Sequence, residues 1–267
     1  ADIVIKAPTA TVTLSDEGLW KSLQGADGTE LCAAAANLPV AQVSTAKGSG
    51  PCSSARLAGD RLTLGFAKTG TELTYEVTAS AHWLVLKLVG VSGERPTSLT
   101  LCQIPVNLTE KVGRRLSAAY DAQRAVCLMA ANRQADCGAA RGKGVSTLRA
   151  QTQDAPGPKI EGAACALIVC PTPQLKPILR EASHAFGLLT NEDAGGTPAK
   201  DTELRRGSYW FITLGEQDAD KMIEYCKLTG FRQVMMSSGS WCRHVGHYTF
   251  NETRFRDEQA LQAFVAK

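Results

Sequence analysis

The stretch of sequence that decides the fold runs from residue 208 to residue 237 and reads SYWFITLGEQDADKMIEYCKLTGFRQVMMS. Residues 209–214 form a continuous apolar run, which is typical of a strand that is covered on both faces. A helical period follows, and Gly230 stands where such a helix would end. Its apolar positions are Ala219, Met222, Ile223 and Cys226. Residues 232–237 form a second apolar run, so the stretch predicts a β-α-β unit with parallel strands and a right-handed crossover.

After this unit the sequence predicts one long loop and one more helix. The loop covers residues 238–256, and the helix covers residues 257–267 with Asp257 as its N-cap. Two parallel strands cannot cover both of their own faces, and βα arrays typically close as barrels of eight strands in about 250 residues. Only 60 residues run from Ser208 to the end of the sequence. We therefore expect the first two βα units of an unfinished barrel; the alternative is a small sheet that the preceding residues cover.

Residues 1–150 show short strands punctuated by turns. Residues 11–14 alternate with period two, and Asp27-Gly28 is a strong hairpin signal. Further strand-like runs recur at a spacing of roughly ten residues, without helical periods between them. These runs are residues 19–23, 54–57, 61–66, 72–78, 83–91, 98–104 and 125–130. The pattern predicts an antiparallel β-sandwich over residues 1–150.

The pattern dissolves between residues 132 and 159 into Gly, Ala, Gln and Arg, which indicates a loop or linker. We assign residues 151–207 as a linker that contains one strand, residues 164–170, and one helix. The apolar positions of that helix are Ile178, Leu179, Ala182, Ala185 and Phe186. Residues 208–267 are then the two βα units. The predicted fold class is mainly β plus α/β: an antiparallel β-sandwich followed by an incomplete (β/α) barrel.

Composition excludes several classes of protein. The 267 residues are 44% hydrophobic, 21% charged and 6% aromatic, which is close to ordinary globular usage and argues against disorder, collagen and coiled coil. No run approaches about 18 uninterrupted apolar residues, so we expect no membrane span. Lys and Arg number 29 against 26 Asp and Glu. The resulting net charge of +3 is too weak to indicate a nucleic-acid partner.

The cysteines and the first residues bear on the compartment. Nine cysteines are well below the content of a disulfide scaffold, and their odd number leaves at least one thiol unpaired. Several lie in apolar runs, where a reduced cysteine packs as a small hydrophobe. We therefore expect mostly free thiols, and the sequence leaves room for one or two disulfide bridges. The chain begins Ala1-Asp2-Ile3 without a signal segment. A mature secreted or periplasmic product and a trimmed chain fit this equally, so the localisation stays open.

The candidate site lies at the predicted carboxyl ends of the parallel strands. Ligands bind at that edge in βα arrays. The loop that follows the second strand is much longer than the usual two to six residues, which favours a functional role. It combines aromatic and hydrogen-bonding side chains, a mixture that suits sugar rings and hydroxyls. We predict a substrate-binding wall of Ser237, Trp241, His244 and His247.

Other chemistry is not supported by spacing. Cys242, His244 and His247 are zinc-type ligands, but C-x-H-x₂-H matches no standard zinc pattern, so we assign no metal. Glu216 and Asp218 open a helix, where acids are usually caps rather than catalysts. The signatures of nucleophile elbows, phosphate loops, zincins and dinucleotide-binding turns do not occur, and we assign no cofactor. Trp20 and Trp83 are interpreted as packing residues rather than sugar platforms.

The sequence resembles a known group of enzymes. Residues 12–23, VTLSDEGLWKSL, followed by Asp27-Gly28-Thr29-Glu30, are similar to the first hairpins of the galactose-mutarotase-like sandwich that precedes the barrel in α-galactosidase-like and α-glucosidase-like glycoside hydrolases. Residues 207–241 resemble the start of their (β/α)₈ barrel. The resemblance implies an oligosaccharide or polysaccharide substrate. It also places both catalytic carboxylates on later barrel strands, typically the fourth and sixth, so no residue of this sequence is assigned as catalytic.

Three functions remain open from the sequence. The first is the N-terminal part of a glycoside hydrolase that is inactive alone, which predicts an exposed strand edge and apolar surface beside residues 232–237. The second is a non-catalytic carbohydrate-binding or surface interaction module, which predicts sugar binding by the sandwich. The third is a small complete enzyme, which predicts turnover by the chain itself.

Overall fold

The computed structural model describes residues 1–153, 160–192, 195–198, 202 and 209–267. It divides into two compact units, Ala1–Thr190 and Asn191–Lys267. Within the described ranges, no helix is long and apolar enough to cross a membrane.

The described part of the first unit contains sixteen strands and one α-helix. Strands β1 to β8 are Ile3–Ala7, Ala10–Leu14, Trp20–Gly25, Gln42–Thr45, Gly48–Pro51, Ser54–Ala58, Arg61–Phe66 and Thr71–Ala79. Strands β9 to β16 are Leu84–Gly93, Ser98–Val106, Lys111–Gly113, Ala118–Tyr120, Arg124–Ala130, Asp136–Arg141, Ser146–Gln153 and Ala164–Pro171. Helix α1 is Leu175–Ala185, and short 3₁₀ turns cover Ala34–Ala36 and Thr172–Gln174.

These strands form three sheets whose pairings are antiparallel. Eight strands have the order β11-β12-β13-β16-β9-β8-β7-β6, five have the order β14-β15-β10-β4-β5, and β1-β2-β3 form a third sheet. Buried residues from all three sheets meet in one hydrophobic core, among them Leu23 of β3, Leu73 of β8 and Ile104 of β10. The antiparallel sandwich and the mainly β plus α/β class are therefore confirmed.

Helix α1 explains why two central strands are continuously apolar. On one face of the eight-stranded sheet, Val126 and Val169 belong to the main core. On the other face, Cys127 and Ile168 pack in a second cluster with Ile178 of α1 and its neighbours. Strands β13 and β16 are thus covered on both faces, and an uninterrupted apolar run is the pattern that this position requires.

The linker assignments need correction. Residues 132–159 were expected to form a loop, but β14 and β15 pair there as an antiparallel hairpin, with Gly138 opposite Arg149. Their outer face carries polar and charged residues, which hid the alternation. Residues 151–207 were assigned as a linker, yet β16 lies in the middle of the eight-stranded sheet, between β13 and β9. The predictions for residues 154–159, 193–194, 199–201 and 203–208 lie outside the described residues.

The second unit is built on a parallel pair of strands. Strand β17 (Tyr209–Ile212) pairs in parallel with β18 (Gln233–Met236), and helix α2 (Ala219–Thr229) connects them. A 3₁₀ turn, Glu216–Asp218, precedes α2, and Gly230 closes the helix with a φ of 78°. This is the predicted β-α-β unit. Glycine adopts the left-handed conformation without steric cost, which is why it ends the helix there.

The residues after β18 are not one loop. They form helix α3 (Ser238–Trp241), a short antiparallel hairpin of β19 (Cys242–His244) and β20 (Thr249–Phe250), and helix α4 (Glu258–Ala266). The side chain of Asp257 accepts a hydrogen bond from the Ala260 amide at 2.7 Å and caps α4 as predicted. The long loop between residues 238 and 256 is therefore corrected to a helix and a hairpin.

One face of the parallel pair is covered and the other is not. Ile212, Val234 and Met236 pack against a small core that includes Phe255 and Phe264. On the opposite face, Phe211 is 61% exposed and Met235 is 53% exposed. Within residues 209–267, no third strand pairs with β17 or β18. Among the described residues, the unpaired strand edge and the apolar surface expected beside residues 232–237 are present.

Candidate functional site

The carboxyl ends of β17 and β18 lie side by side. Because the two strands are parallel, the chain leaves both of them at the same edge of the sheet. The hydroxyls of Thr213, which follows β17, and Ser237, which follows β18, are 2.7 Å apart and hydrogen-bonded. The Ser237 amide donates to the carbonyl of Ile212 at 3.0 Å and continues the ladder to that point. The edge thus presents two neighbouring hydroxyls.

Two buried polar side chains hold the backbone around this edge. The Ser240 hydroxyl, fully buried, accepts a hydrogen bond from the Leu214 amide at 2.8 Å and joins α3 to the end of β17. The Asn251 side chain donates to the carbonyl of Gly239 at 2.8 Å, and its oxygen accepts from Thr253. Asn251 is itself buried, so it fixes the backbone of this segment rather than facing solvent.

Trp241 is paired with a second aromatic ring. Its indole stacks on Tyr248 with a centroid distance of 6.0 Å and an interplanar angle of 3°. Tyr248 is 62% exposed and has a φ of 49°, in the left-handed region that bulky side chains rarely occupy. A strained residue of this kind persists where the surroundings hold it, and the stack with Trp241 supplies such a contact. The two rings form an aromatic pair that joins α3 to the turn of the hairpin.

The two histidines lie farther along the hairpin. His244 ends β19, His247 lies in the turn, and both side chains are exposed. Within residues 209–267, no hydrogen bond, ion pair or ring contact connects either imidazole to Ser237. The structure therefore joins Ser237 to Thr213 and Trp241 to Tyr248, while His244 and His247 are carried on the turn of the hairpin.

Metal ligation finds no geometric support in the described residues. No group of three His, Cys, Asp or Glu side chains among them is close enough to hold an ion. Cys242 is buried, and its thiol donates to the backbone carbonyl of His244 at 3.1 Å.

The acids that open α2 have structural contacts. Asp218 accepts a hydrogen bond from the Gly215 amide at 2.7 Å. Glu216 accepts from the amide of Arg256 at 3.2 Å and also faces the Arg256 guanidinium at 3.5 Å. Asp218 therefore stabilises the turn that precedes α2, as its position predicted, and Glu216 links that turn to the segment before α4.

A cavity of about 550 Å³ lies between β17 and α2. Its apolar wall comes from Trp210 and Ile212 of the strand and from Met222, Tyr225 and Leu228 of the helix. Trp210 contacts Tyr225 with a centroid distance of 4.7 Å. Leu228 is 84% exposed, so an apolar surface continues from the cavity along the helix.

Sequence reasoning missed Thr213 and Tyr248 as members of the site. Thr213 follows the first apolar run as Ser237 follows the second, and that symmetry was a usable signal. Tyr248 lies in the same aromatic-rich segment as Trp241, but their stacking could not be predicted, because the hairpin that brings the two rings together was not predicted. The two tryptophans of the sandwich are packing residues as expected: the Trp20 indole donates to the Gln103 carbonyl, and Trp83 packs edge-on against Phe186 at 5.5 Å.

Comparison with solved structures gives the fold. The chain is similar to the α-N-acetylgalactosaminidase NagBb from Bifidobacterium bifidum in complex with Gal-NHAc-DNJ, with a TM-score of 0.61 and 8% identity, over 99% of this chain and 56% of that chain. The structure of the same enzyme with GalNAc gives a TM-score of 0.57 and 9% identity, over 99% and 56%. The sequence matches no protein-family model and no curated protein.

These similarities establish a glycoside-hydrolase-like fold for this chain. The identities are too low for any residue role to be transferred from them. The chain spans little more than half the length of the structures that it matches.

Proposed function

We propose that this chain is the N-terminal part of a carbohydrate-active enzyme that hydrolyses glycosidic bonds. In this proposal residues 1–190 are a galactose-mutarotase-like sandwich, and residues 209–267 are the first two βα units of a (β/α)₈ barrel. The observation that carries the proposal is the half-covered parallel pair: the face towards α2 and α4 is packed, whereas Phe211 and Met235 on the other face are exposed.

The alternation of these side chains is the one that a barrel requires. Along each barrel strand, one set of side chains faces the surrounding helices and the other fills the interior. Ile212, Val234 and Met236 belong to the first set, and Phe211 and Met235 to the second. An isolated two-stranded sheet gains little from exposing such residues, because each large apolar side chain left in water forgoes about 1.5–3 kcal/mol of burial. Further strands of the same barrel are the cover that fits this face.

The cavity beside α2 supports the same reading. In a closed barrel each helix packs between two neighbouring helices on the outside of the strands. Helix α4 lies on one side of α2, where Lys267 pairs with Asp220 at 2.9 Å. Trp210, Tyr225 and Leu228 line the cavity between β17 and α2. In this proposal, the cavity would receive the helix that follows the last strand of the barrel.

The proposed chemistry assigns this chain a binding role. Thr213, Ser237 and Trp241 would form one wall of the sugar site, with His244 and His247 at its rim. Glycoside hydrolysis commonly uses two carboxylates, one of which protonates the leaving oxygen. Glu216 and Asp218 make structural contacts at the turn before α2, so we assign the two catalytic carboxylates to later strands of the barrel. The galactose-type sugars named for the similar structures are the substrates to test first.

Two measurements test the proposal. Incubation of the purified chain with 4-nitrophenyl α-N-acetylgalactosaminide and α-galactoside should release no nitrophenol. Titration with N-acetylgalactosamine, monitored by saturation-transfer NMR, should show weak binding. That binding should be lost in Ser237→Ala and in Trp241→Ala. Ser238→Ala, an exposed neighbour on α3, is the matched control and should bind like the parent chain.

Turnover by the chain alone would contradict the assignment of the reactive acids to later strands. Sugar binding that survives both Ser237→Ala and Trp241→Ala would move the binding site elsewhere. Binding retained by the sandwich without these residues would favour the non-catalytic carbohydrate-binding module instead.

A further inference from the structure

The small net charge of the chain conceals a strongly basic segment. Residues 110–150 contain eight basic and three acidic side chains, a balance of +5, although the whole chain carries only +3. The basic residues are Lys111, Arg114, Arg115, Arg124, Arg133, Arg141, Lys143 and Arg149. The rest of the chain is therefore slightly acidic, and the positive charge belongs to one part of the sandwich.

The fold gathers three of these arginines around one concavity. The turn between β11 and β12 runs along the edge strand β14: the Ala139 amide donates to the Arg114 carbonyl at 3.0 Å, and the Ser117 hydroxyl donates to the Gly138 carbonyl at 2.9 Å. Gly138 lies opposite Arg149 in the β14–β15 ladder. Arg114, Arg115 and Arg149 consequently line the same space of about 410 Å³, although 34 positions separate Arg115 from Arg149.

The side chains of β15 explain why Arg149 faces this space. Leu148 and Ala150 are buried in the core, whereas Thr147, Arg149 and Gln151 alternate with them on the outer face. Because successive side chains of a strand point to opposite faces, the packing of Leu148 and Ala150 fixes the direction of Arg149.

These three guanidinium groups have no acidic partner within 4 Å among the residues that the structure describes. Other arginines of the same unit do: Arg124 pairs with Asp27 at 3.1 Å, and Arg95 pairs with Glu161 at 2.7 Å. Asp136 also lines the concavity, but it forms no such ion pair with an arginine there. One carboxylate among three unpaired guanidiniums leaves a positive concavity.

This arrangement fits a ligand that carries several oxyanions. The guanidinium fork matches carboxylate, sulfate and phosphate groups, and such charge-assisted hydrogen bonds are roughly twice as strong as neutral ones. Thr147 and Gln151 add uncharged hydrogen-bonding groups for hydroxyls. The lining contains no aromatic ring, whereas proteins that bind single-stranded nucleic acid use aromatic platforms on which bases stack.

We propose that Arg114, Arg115 and Arg149 form a binding site for an anionic oligosaccharide, recognised through its sulfate or carboxylate groups. The choice of a sugar as the carrier rests on the proposed function; the recognition of oxyanions does not. The site belongs to the sandwich and is separate in sequence from the strand ends of residues 213 and 237.

Calorimetric titration of the full chain tests this site with five probes. They are a heparin-derived hexasaccharide, a hexamer of galacturonic acid, a neutral galactose oligomer, sodium sulfate and a short single-stranded DNA. The sulfated or the uronate hexamer should bind, and the neutral oligomer should not. Binding should weaken as salt is raised, since ions screen exposed charges beyond about 10 Å at 0.1 M.

Variants separate the concavity from diffuse attraction. Arg149→Ala and the double change Arg114→Ala with Arg115→Ala should each weaken binding tenfold or more, as expected for hydrogen bonds to charged groups. Arg133→Ala removes the same charge from the same basic segment, but Arg133 does not line the concavity, so binding should stay within twofold. Arg149→Lys keeps the charge and loses the fork, and should give an intermediate loss.

Equal weakening by Arg133→Ala would overturn the site in favour of general charge attraction. DNA that binds as tightly as the hexamers would overturn the sugar as the ligand. Binding of sulfate without either hexamer would likewise reject the sugar while retaining an oxyanion site. None of these results bears on N-acetylgalactosamine binding at Ser237 and Trp241, so failure here is distinguishable from failure of the proposed function.

Discussion

Replacing Ser240 with alanine should loosen the end of β17 and, with it, the candidate sugar site. The Ser240 hydroxyl is fully buried and is the acceptor for the Leu214 amide at 2.8 Å, while the Leu214 residue itself is 3% exposed. Alanine fits the same space but leaves that amide without a partner and away from water. An unsatisfied buried donor costs about 1–3 kcal/mol.

Amide hydrogen exchange measures this cost at the affected bond. Since each 1.4 kcal/mol is a factor of ten, the Leu214 amide should exchange about 5- to 150-fold faster in Ser240→Ala. The free energy of unfolding of the second unit, measured by urea denaturation, should fall by the same 1–3 kcal/mol, which lowers the urea midpoint. Exchange should also accelerate at Ser237, whose amide continues the ladder to Ile212 at the same edge.

Ser238→Ala is the matched control for this experiment. Ser238 belongs to the same short helix, but its side chain is exposed. Exchange at Leu214 should therefore be unchanged in Ser238→Ala. If Ser240→Ala also leaves the exchange and the urea midpoint unchanged, the buried hydrogen bond does not hold the strand end, and the reasoning is refuted.

Three further changes have expected outcomes. Phe264→Ala empties part of the core of the second unit and should lower its stability by about 3–5 kcal/mol in urea unfolding, whereas Val265→Ala, at an exposed neighbour, should be nearly neutral. Gly93→Ala would place a Cβ 2.0 Å from the Gly70 carbonyl oxygen and should disrupt the β8–β9 hairpin. Gly28 has a similar φ but open space around it, so Gly28→Ala should cost only about 1 kcal/mol. Thermal unfolding followed by circular dichroism compares the two variants. Burial raises the pKa of the Cys127 thiol from its ordinary value of 9.0 to about 12. As the pH rises above about 9, the thiol therefore ionises in the unfolded chain before it does in the folded protein, and stability should fall. Urea midpoints measured between pH 8 and pH 11 should fall less in Cys127→Ala than in the parent chain.

The β-α-β unit could be predicted from the sequence because its signals are local. Two continuous apolar runs flank one helical period, and Gly230 marks the end of the helix. Asp257 was likewise predictable as a cap, since the side chain and the amide that it binds are three positions apart. Backbone preferences and caps act within a few residues, so they can be read before any tertiary contact is known.

The β14–β15 hairpin could not be predicted in the same way. One face of β15 packs into the core through Leu148 and Ala150, but its other face carries Thr147, Arg149 and Gln151. The small and polar residues around this short alternation resemble a linker, and only pairing with β10 and β14 makes it a strand. Strand propensity depends on neighbours across the sheet, which the local sequence does not specify.

By itself, the sequence determined those features of this protein that depend on residues near one another in the chain. They are the antiparallel sandwich, the parallel pair with its connecting helix, and the edge where Ser237 lies. Tertiary structure alone decided which side chains meet there. It joined Thr213 to Ser237 and Trp241 to Tyr248, placed His244 and His247 on the turn of a hairpin, and assembled three arginines from two distant segments. The physical reason is that periodicity and capping arise over one or two turns of chain, whereas side-chain contacts depend on strand register and packing between residues far apart in sequence.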